Sequence, residues 1–218
     1  MWLIAYYITQ IVVSCLYILS FLCAIIVTPK LSPANHLRSF FWYPLAGCIM
    51  TILYWSKFFN LIPFGTYIIT NKISLLYHYS FLSYFLYKGV NKKKSFGYIA
   101  ILFLLIIIPF VYWDIVCKTV FGFAIVNGSL FILCCYYFFN LFVSPPVLHL
   151  NKEAVFWVSC GILLGAGMLI PFFLASLSSL QITSTSVGYL FGICAILGYG
   201  IMHTFFIKAY LCCLPQNS

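Results

Sequence analysis

Negative charge is almost missing from this chain. Of 218 residues only Asp114 and Glu153 are acidic, and Arg38 is the one arginine. Paired-acid hydrolysis, carboxylate metal cages and acidic proton relays therefore lack their parts. Charged residues make up 6% of the sequence, against about 25% in soluble domains, so the composition excludes an aqueous exterior. There is no CxxC among the ten cysteines, which removes the usual redox spacing. No lysine or arginine precedes the first apolar stretch, so it lacks the basic region of a signal peptide and reads as a retained span.

What is present is lipid-compatible. Hydrophobic residues account for 65% and aromatic ones for 21% of the chain. A helix needs about 20 apolar residues to cross a hydrocarbon core of roughly 30 Å. Seven stretches fit, giving an all-α polytopic membrane protein with a single seven-helix domain over 1–218. The expected spans are Trp2 to Val27, Ser39 to Phe59, Tyr67 to Tyr87, Phe96 to Ile115, Thr119 to Val143, Ala154 to Leu177 and Ser186 to Tyr210. Thr28-Pro29-Lys30-Leu31-Ser32-Pro33 and Ser144-Pro145-Pro146 interrupt helix, because proline lacks the amide donor and restricts the residue before it. Asn151 reads as the N-cap of the sixth span, and the Ser and Thr run from Ser176 to Ser186 as the turn after it.

Basic residues accumulate on the cytoplasmic side of short loops. With the N-terminus outside, Lys30, Arg38, Lys88, Lys92, Lys93, Lys94, Lys152 and Lys208 fall inside, and Lys57, Lys72 and Lys118 outside. Eight against three favours N-out, C-in. Trp2, Trp42, Trp55, Trp113 and Trp157 all lie near span ends, where indole prefers to sit. The cluster Lys88, Lys92, Lys93 and Lys94 is a topology anchor that suits anionic lipid and is too short for nucleic acid.

Helices in lipid associate where small residues let backbones approach. Gly161 and Gly165 have that spacing in the sixth span, as do Gly188 and Gly192 in the seventh. In an antiparallel pair Gly161 and Gly165 meet the level of Gly198 and Gly200, while Gly188 and Gly192 meet that of Pro171.

The span interiors hold neutral polar groups. Gln10, Ser14 and Tyr17 form an i, i+4, i+7 stripe; Ser74 and His78 share one face of the third span; Asn127 lies in the outer part of the fifth. Gln10, Ser14, His78 and Asn127 are thus candidates for a ligand pocket in the outer half, against the plainer reading of interhelical hydrogen bonds. Tyr199 and His203 form a second polar line nearer the cytoplasmic end of the seventh span, with Lys208 beyond it. Counted from the span ends, His78 and His203 lie at different depths, which argues against one haem between them. No metal site and no cofactor is implied. Retinal lacks its mid-span lysine and counter-ion.

Phe156-Trp157 opening the sixth span, Gly161-Ile162-Leu163-Leu164 after it, Tyr136-Tyr137-Phe138-Phe139 and the run Tyr84 to Tyr87 together resemble bacterial seven-helix membrane proteins found alone or preceding sensor histidine kinases. Glu153-Ala154-Val155 stands where a proline-containing approach is the rule in that group. The resemblance implies a non-catalytic sensor-like or accessory protein of the inner (cytoplasmic) membrane that signals through a membrane or cytoplasmic partner. The alternative is a small-solute transporter or channel, although the two halves show no repeat.

Overall fold

The computed structural model describes residues 2–31, 37–90, 94–117, 121–143, 153–177 and 185–213. These residues are helical, with no strand among them. α1 spans Trp2–Val27, a short α2 Leu37–Phe40, α3 Trp42–Phe58, α4 Phe64–Gly89, α5 Lys94–Cys117, α6 Phe121–Val143, α7 Ala154–Leu177 and α8 Thr185–Leu211. Among the described residues four stretches are long and apolar enough to cross a membrane: Trp2–Lys30, Lys94–Trp113, Gly122–Val143 and Gly192–Leu211. They mark a membrane-embedded protein. α3 has 17 residues, about 26 Å at helical rise, and α4 is the least apolar of the long helices because it carries Thr66, Thr70, Asn71, Lys72, Ser74 and His78.

The breaks follow local chemistry. α1 ends in a turn of 3-10 helix at Thr28–Lys30, with Pro29 inside it. α3 closes where Asn60 enters the left-handed region at φ 58°, a conformation asparagine tolerates better than most residues. The amides of Asn60 and Leu61 then return to the carbonyls of Lys57 (3.0 Å) and Ser56 (2.8 Å), capping the last turn. Pro63, extended at ψ 141°, precedes α4. At α7 the Trp157 amide bonds the Glu153 carbonyl at 3.4 Å, which puts Glu153 at the cap; Asn151 and the turn expected after Leu177 lie outside the described residues.

α8 is sandwiched between α1 and α7, its two most extensive neighbours. α6 packs on α7, α4 bridges α6 and α3, and α3 returns to α1. α5 rests on the outside against α4 and α6 and turns Tyr98, Ile101, Leu102, Leu105 and Tyr112 outward. On a water-soluble protein such a patch is an interaction liability; on this chain it is lipid-facing surface. Buried rings of Phe40, Tyr79, Phe85, Phe206 and Tyr210 fill the centre.

The α7–α8 contact is a backbone-to-backbone approach. A Cβ on Gly165 would lie 2.7 Å from the Gly198 carbonyl oxygen, and one on Gly198 2.9 Å from that of Gly165. A Cβ on Gly161 would meet Phe205 Cβ at 2.8 Å and the Met202 carbonyl oxygen at 3.0 Å. Two other glycines depart from the expected pairing. Gly192 faces Tyr6 (3.0 Å) and Gly200 faces Val13 (3.0 Å), both on α1. Residues two apart on a helix point in nearly opposite directions, so Gly198 and Gly200 cannot share a face. The surroundings of Gly188 lie outside the described residues.

Candidate functional site

Four helices deliver polar side chains to one buried point. On α1, the Ser20 hydroxyl donates to the Tyr17 carbonyl one turn earlier at 2.9 Å and lies 2.8 Å from His203 Nδ1 of α8. Because the Ser20 proton is committed to the carbonyl, His203 supplies the proton of that contact from Nδ1, and its Nε2 is a bare acceptor. On α3, the Tyr43 hydroxyl lies 2.5 Å from His78 Nδ1 of α4. Its other neighbour, Met202 Sδ at 3.9 Å, is a weak acceptor. Tyr43 thus donates to His78, whose own proton then resides on Nε2.

Rings bind these groups into one cluster. Tyr43 stacks against His203 at 6.1 Å between centroids and lies 5.6 Å from His78. Tyr17 covers His203 at 3.8 Å, and Tyr199 meets His78 edge-on at 6.1 Å. Gly47 makes this possible, since a Cβ there would sit 2.5 Å from Tyr17 Cδ1. Phe123 of α6 lies 6.1 Å from Tyr199, and Asn127, one turn on, donates Nδ2 to the Phe123 carbonyl at 2.9 Å. In this cluster His78 Nε2, His203 Nε2 and Asn127 Oδ1 are buried without a hydrogen-bond partner among the described residues, as are the Thr28 and Tyr210 hydroxyls elsewhere. Each such atom costs about 1–3 kcal/mol, which is unusual for groups with no task.

Beside the cluster is a cavity of about 170 Å³, lined by Tyr17, Tyr43, Met50, Ser74, His78 and Tyr199 among others. Gly47, Asn71 and Phe123 also reach it. Away from the cavity, toward the ends of α4 and α8, Phe40 closes the bundle against Tyr43, Phe85, Phe206 and Tyr210 at 4.7 to 6.1 Å.

The structure regroups the residues singled out from the sequence. His78 lines the cavity, and Asn127 is fully buried one helical turn from its Phe123 wall. Gln10 and Ser14 do not line it. Ser14 donates to the Gln10 carbonyl at 2.8 Å and accepts from Trp55 Nε1 at 3.2 Å, so this pair ties α1 to α3. The separation expected between the two histidines is corrected: both imidazoles flank Tyr43. Counting from Gly89 and Leu211, the ends of α4 and α8, the two residues lie roughly 17 and 12 Å in, a difference that one tyrosine ring bridges. Their Nδ1 atoms are already engaged, and no group of three His, Cys, Asp or Glu suited to a metal occurs among the described residues.

Sequence reasoning missed Tyr43 and Ser20. Ser20 extends the Gln10, Ser14, Tyr17 stripe by one more turn and was legible there. Tyr43 carries no such signal, because Gly47, one turn away, clears space for Tyr17 and His203 and not for Tyr43 itself. No family model, no curated protein and no solved structure matches the chain.

Proposed function

We propose that this is a seven-span protein of the cytoplasmic membrane, N-out and C-in, that recognises a small neutral polar molecule in the Tyr43–His78 cavity and passes the event to a partner protein. It is non-catalytic and sensor-like. The observation that carries this reading is the buried His78 imidazole, which lines the cavity with Nε2 unpartnered. A buried donor lacking an acceptor favours an incoming group that supplies one. A volume of about 170 Å³ compares with the roughly 150 Å³ cavity that takes up benzene in an engineered protein core, so the ligand is ring-sized. The aromatic plug at Phe40 opposes through-passage and so supports recognition over transport.

The route outward runs along α8. Tyr199 and His203 touch the site, Gly198 meets α7, and farther on the Lys208 ammonium lies over the Trp157 ring of α7 at 5.5 Å. A small change at Tyr199 is thereby transmitted to the α7–α8 pair at the lysine-bearing end, where a partner would read it.

The test is a thermal-shift series on the purified protein with glycerol, urea, phenol and catechol, repeated on His78→Leu. At least one probe should raise the Tm of the native chain and lose that effect in the variant. Shifts that are equal in both proteins would remove the cavity from the reading. If the active probe is also taken up by proteoliposomes, the protein is a carrier.

A further inference from the structure

A second cavity lies between α4 and α5, remote from the histidines. It has a volume of about 450 Å³ and is walled by Tyr84, Tyr87, Tyr98, Ile101 and Leu104, with Lys94 at one end. Its floor is made of small residues, Ser80, Ser83, Gly97 and Ala100. The two helices are pinned beneath it by the Tyr79 hydroxyl, which donates to the Ala100 carbonyl at 2.8 Å, and by Tyr87 stacking on Phe96 at 6.5 Å. The groove is a fixed feature of the α4–α5 pair. Of the two serines on its floor, Ser83 donates its hydroxyl to the Ser80 carbonyl at 3.2 Å.

The groove faces outward. Tyr84 of α4 and Tyr98 and Ile101 of α5 are exposed at 52%, 70% and 57%, on the side that this helix pair turns to lipid. A space of this size against hydrocarbon does not stay empty, because its walls would lose their dispersion contacts. From Lys94 to Leu104 the helix rises roughly 15 Å, half of a hydrocarbon core and the length of one acyl layer. The groove thus runs from the interface to the midplane of one leaflet. Charge is confined to its interfacial end: Lys94 lines it, and Lys88 Nζ sits 4.8 Å over the Tyr84 ring that forms its wall. No acidic residue occurs in either helix on that side, the only acids of the chain being Asp114 and Glu153.

We infer that this groove binds an anionic glycerophospholipid, its acyl chain along Tyr98, Ile101 and Leu104 and its phosphate at Lys94 and Lys88. The tyrosine hydroxyls of the rim suit the headgroup and glycerol level, where amphipathic rings prefer to lie. The two amino groups give the site its preference for negative headgroups. The small floor residues let the chain lie against backbone.

Native mass spectrometry of the full chain, delipidated and then titrated with phosphatidylglycerol or phosphatidylcholine of equal chain length, tests the assignment. Phosphatidylglycerol should be retained preferentially, with the preference falling about fivefold for each lysine removed, as juxtamembrane cations act, in Lys94→Gln and Lys88→Gln. Gly97→Leu should reduce retention of both lipids, since a Cβ at Gly97 meets only the Tyr87 ring at ordinary contact distance, 3.4 Å, and the longer side chain fills the floor. Inorganic phosphate at millimolar concentration should displace neither lipid. Equal retention of the two lipids by the native chain, or a preference unchanged in the double lysine variant, would overturn the proposal. Displacement by phosphate alone would replace the lipid by a free anion.

Discussion

At the scale of single residues, the unusual feature is two neutral hydrogen bonds, Ser20–His203 and Tyr43–His78, each of which leaves an imidazole Nε2 without a partner among the described residues. Tyr43→Phe keeps the ring that stacks on His203 but removes the one donor to His78 Nδ1 among the described residues. His78 is then left with two unsatisfied nitrogens in the interior. The expected loss is on the order of 1–3 kcal/mol, read as a lower Tm in detergent, and greater than that of Ser20→Ala, whose partner His203 keeps its Tyr17 and Tyr43 ring contacts. Gly47→Ala acts on the same point from the other side. Its Cβ would sit 2.5 Å from the Tyr17 ring, so Tyr17 must leave His203. Overpacking of this kind costs about 1–3 kcal/mol, and probe binding in the cavity should weaken along with stability.

At the scale of helices, the bundle is held by close backbone approach in one place and by side chains elsewhere, and glycine substitutions separate the two. Gly165→Ala or Gly198→Ala drives a methyl into a carbonyl oxygen 2.7 or 2.9 Å away, and backbone cannot rotate aside. Both should lower thermal stability by about 1–3 kcal/mol. Gly128→Ala meets nothing within 4 Å and should be neutral or stabilising by roughly 0.5–1 kcal/mol, because alanine is the better helix former. The existence of these helices was legible from apolar runs punctuated by polar residues and by Pro29, Pro33, Pro145 and Pro146, and their described ends fell within a few residues of the expected ones. Which face of α8 meets which neighbour was only half legible. The periodicity that separates Gly198 from Gly200 was available, but nothing in the sequence said that α1 would lie on the opposite side of α8 from α7. The candidate site was less legible still, since Tyr43, His78, Ser20 and His203 are up to 183 positions apart and meet only through the packing of four different helices. Gln10 and Ser14 carried the stronger sequence signal, a regular polar stripe, yet that stripe serves the α1–α3 seam.

At the scale of the whole molecule, strength and weakness are unevenly placed. α1, α8 and α7 form the most extensively packed slab, whereas α3 and α4 touch little and leave the ring-lined cavity between them. On the proposed reading, the densely packed slab serves as the frame and the sparsely packed α3–α4 side as the part that responds to a ligand. Such a bundle works in one direction only if it is inserted in one orientation, and here orientation rests on very few charges. With the N-terminus outside, the inner side holds eight basic residues and the outer side three. Acidic residues add little to that choice, and only two exist. A cytoplasmic reporter fused after Ser218 should therefore fluoresce, and a reporter that is active only outside should be silent there; the same pair inserted between Asn60 and Pro63 should give the opposite result. Replacing Lys88, Lys92, Lys93 and Lys94 by glutamine leaves four inner charges against three. The bias should then fall away and both reporters after Ser218 should register, each in part of the population. If the native fusion already reports outside, N-out insertion is wrong. If the fourfold variant still inserts in one direction only, orientation is set by something other than this basic cluster.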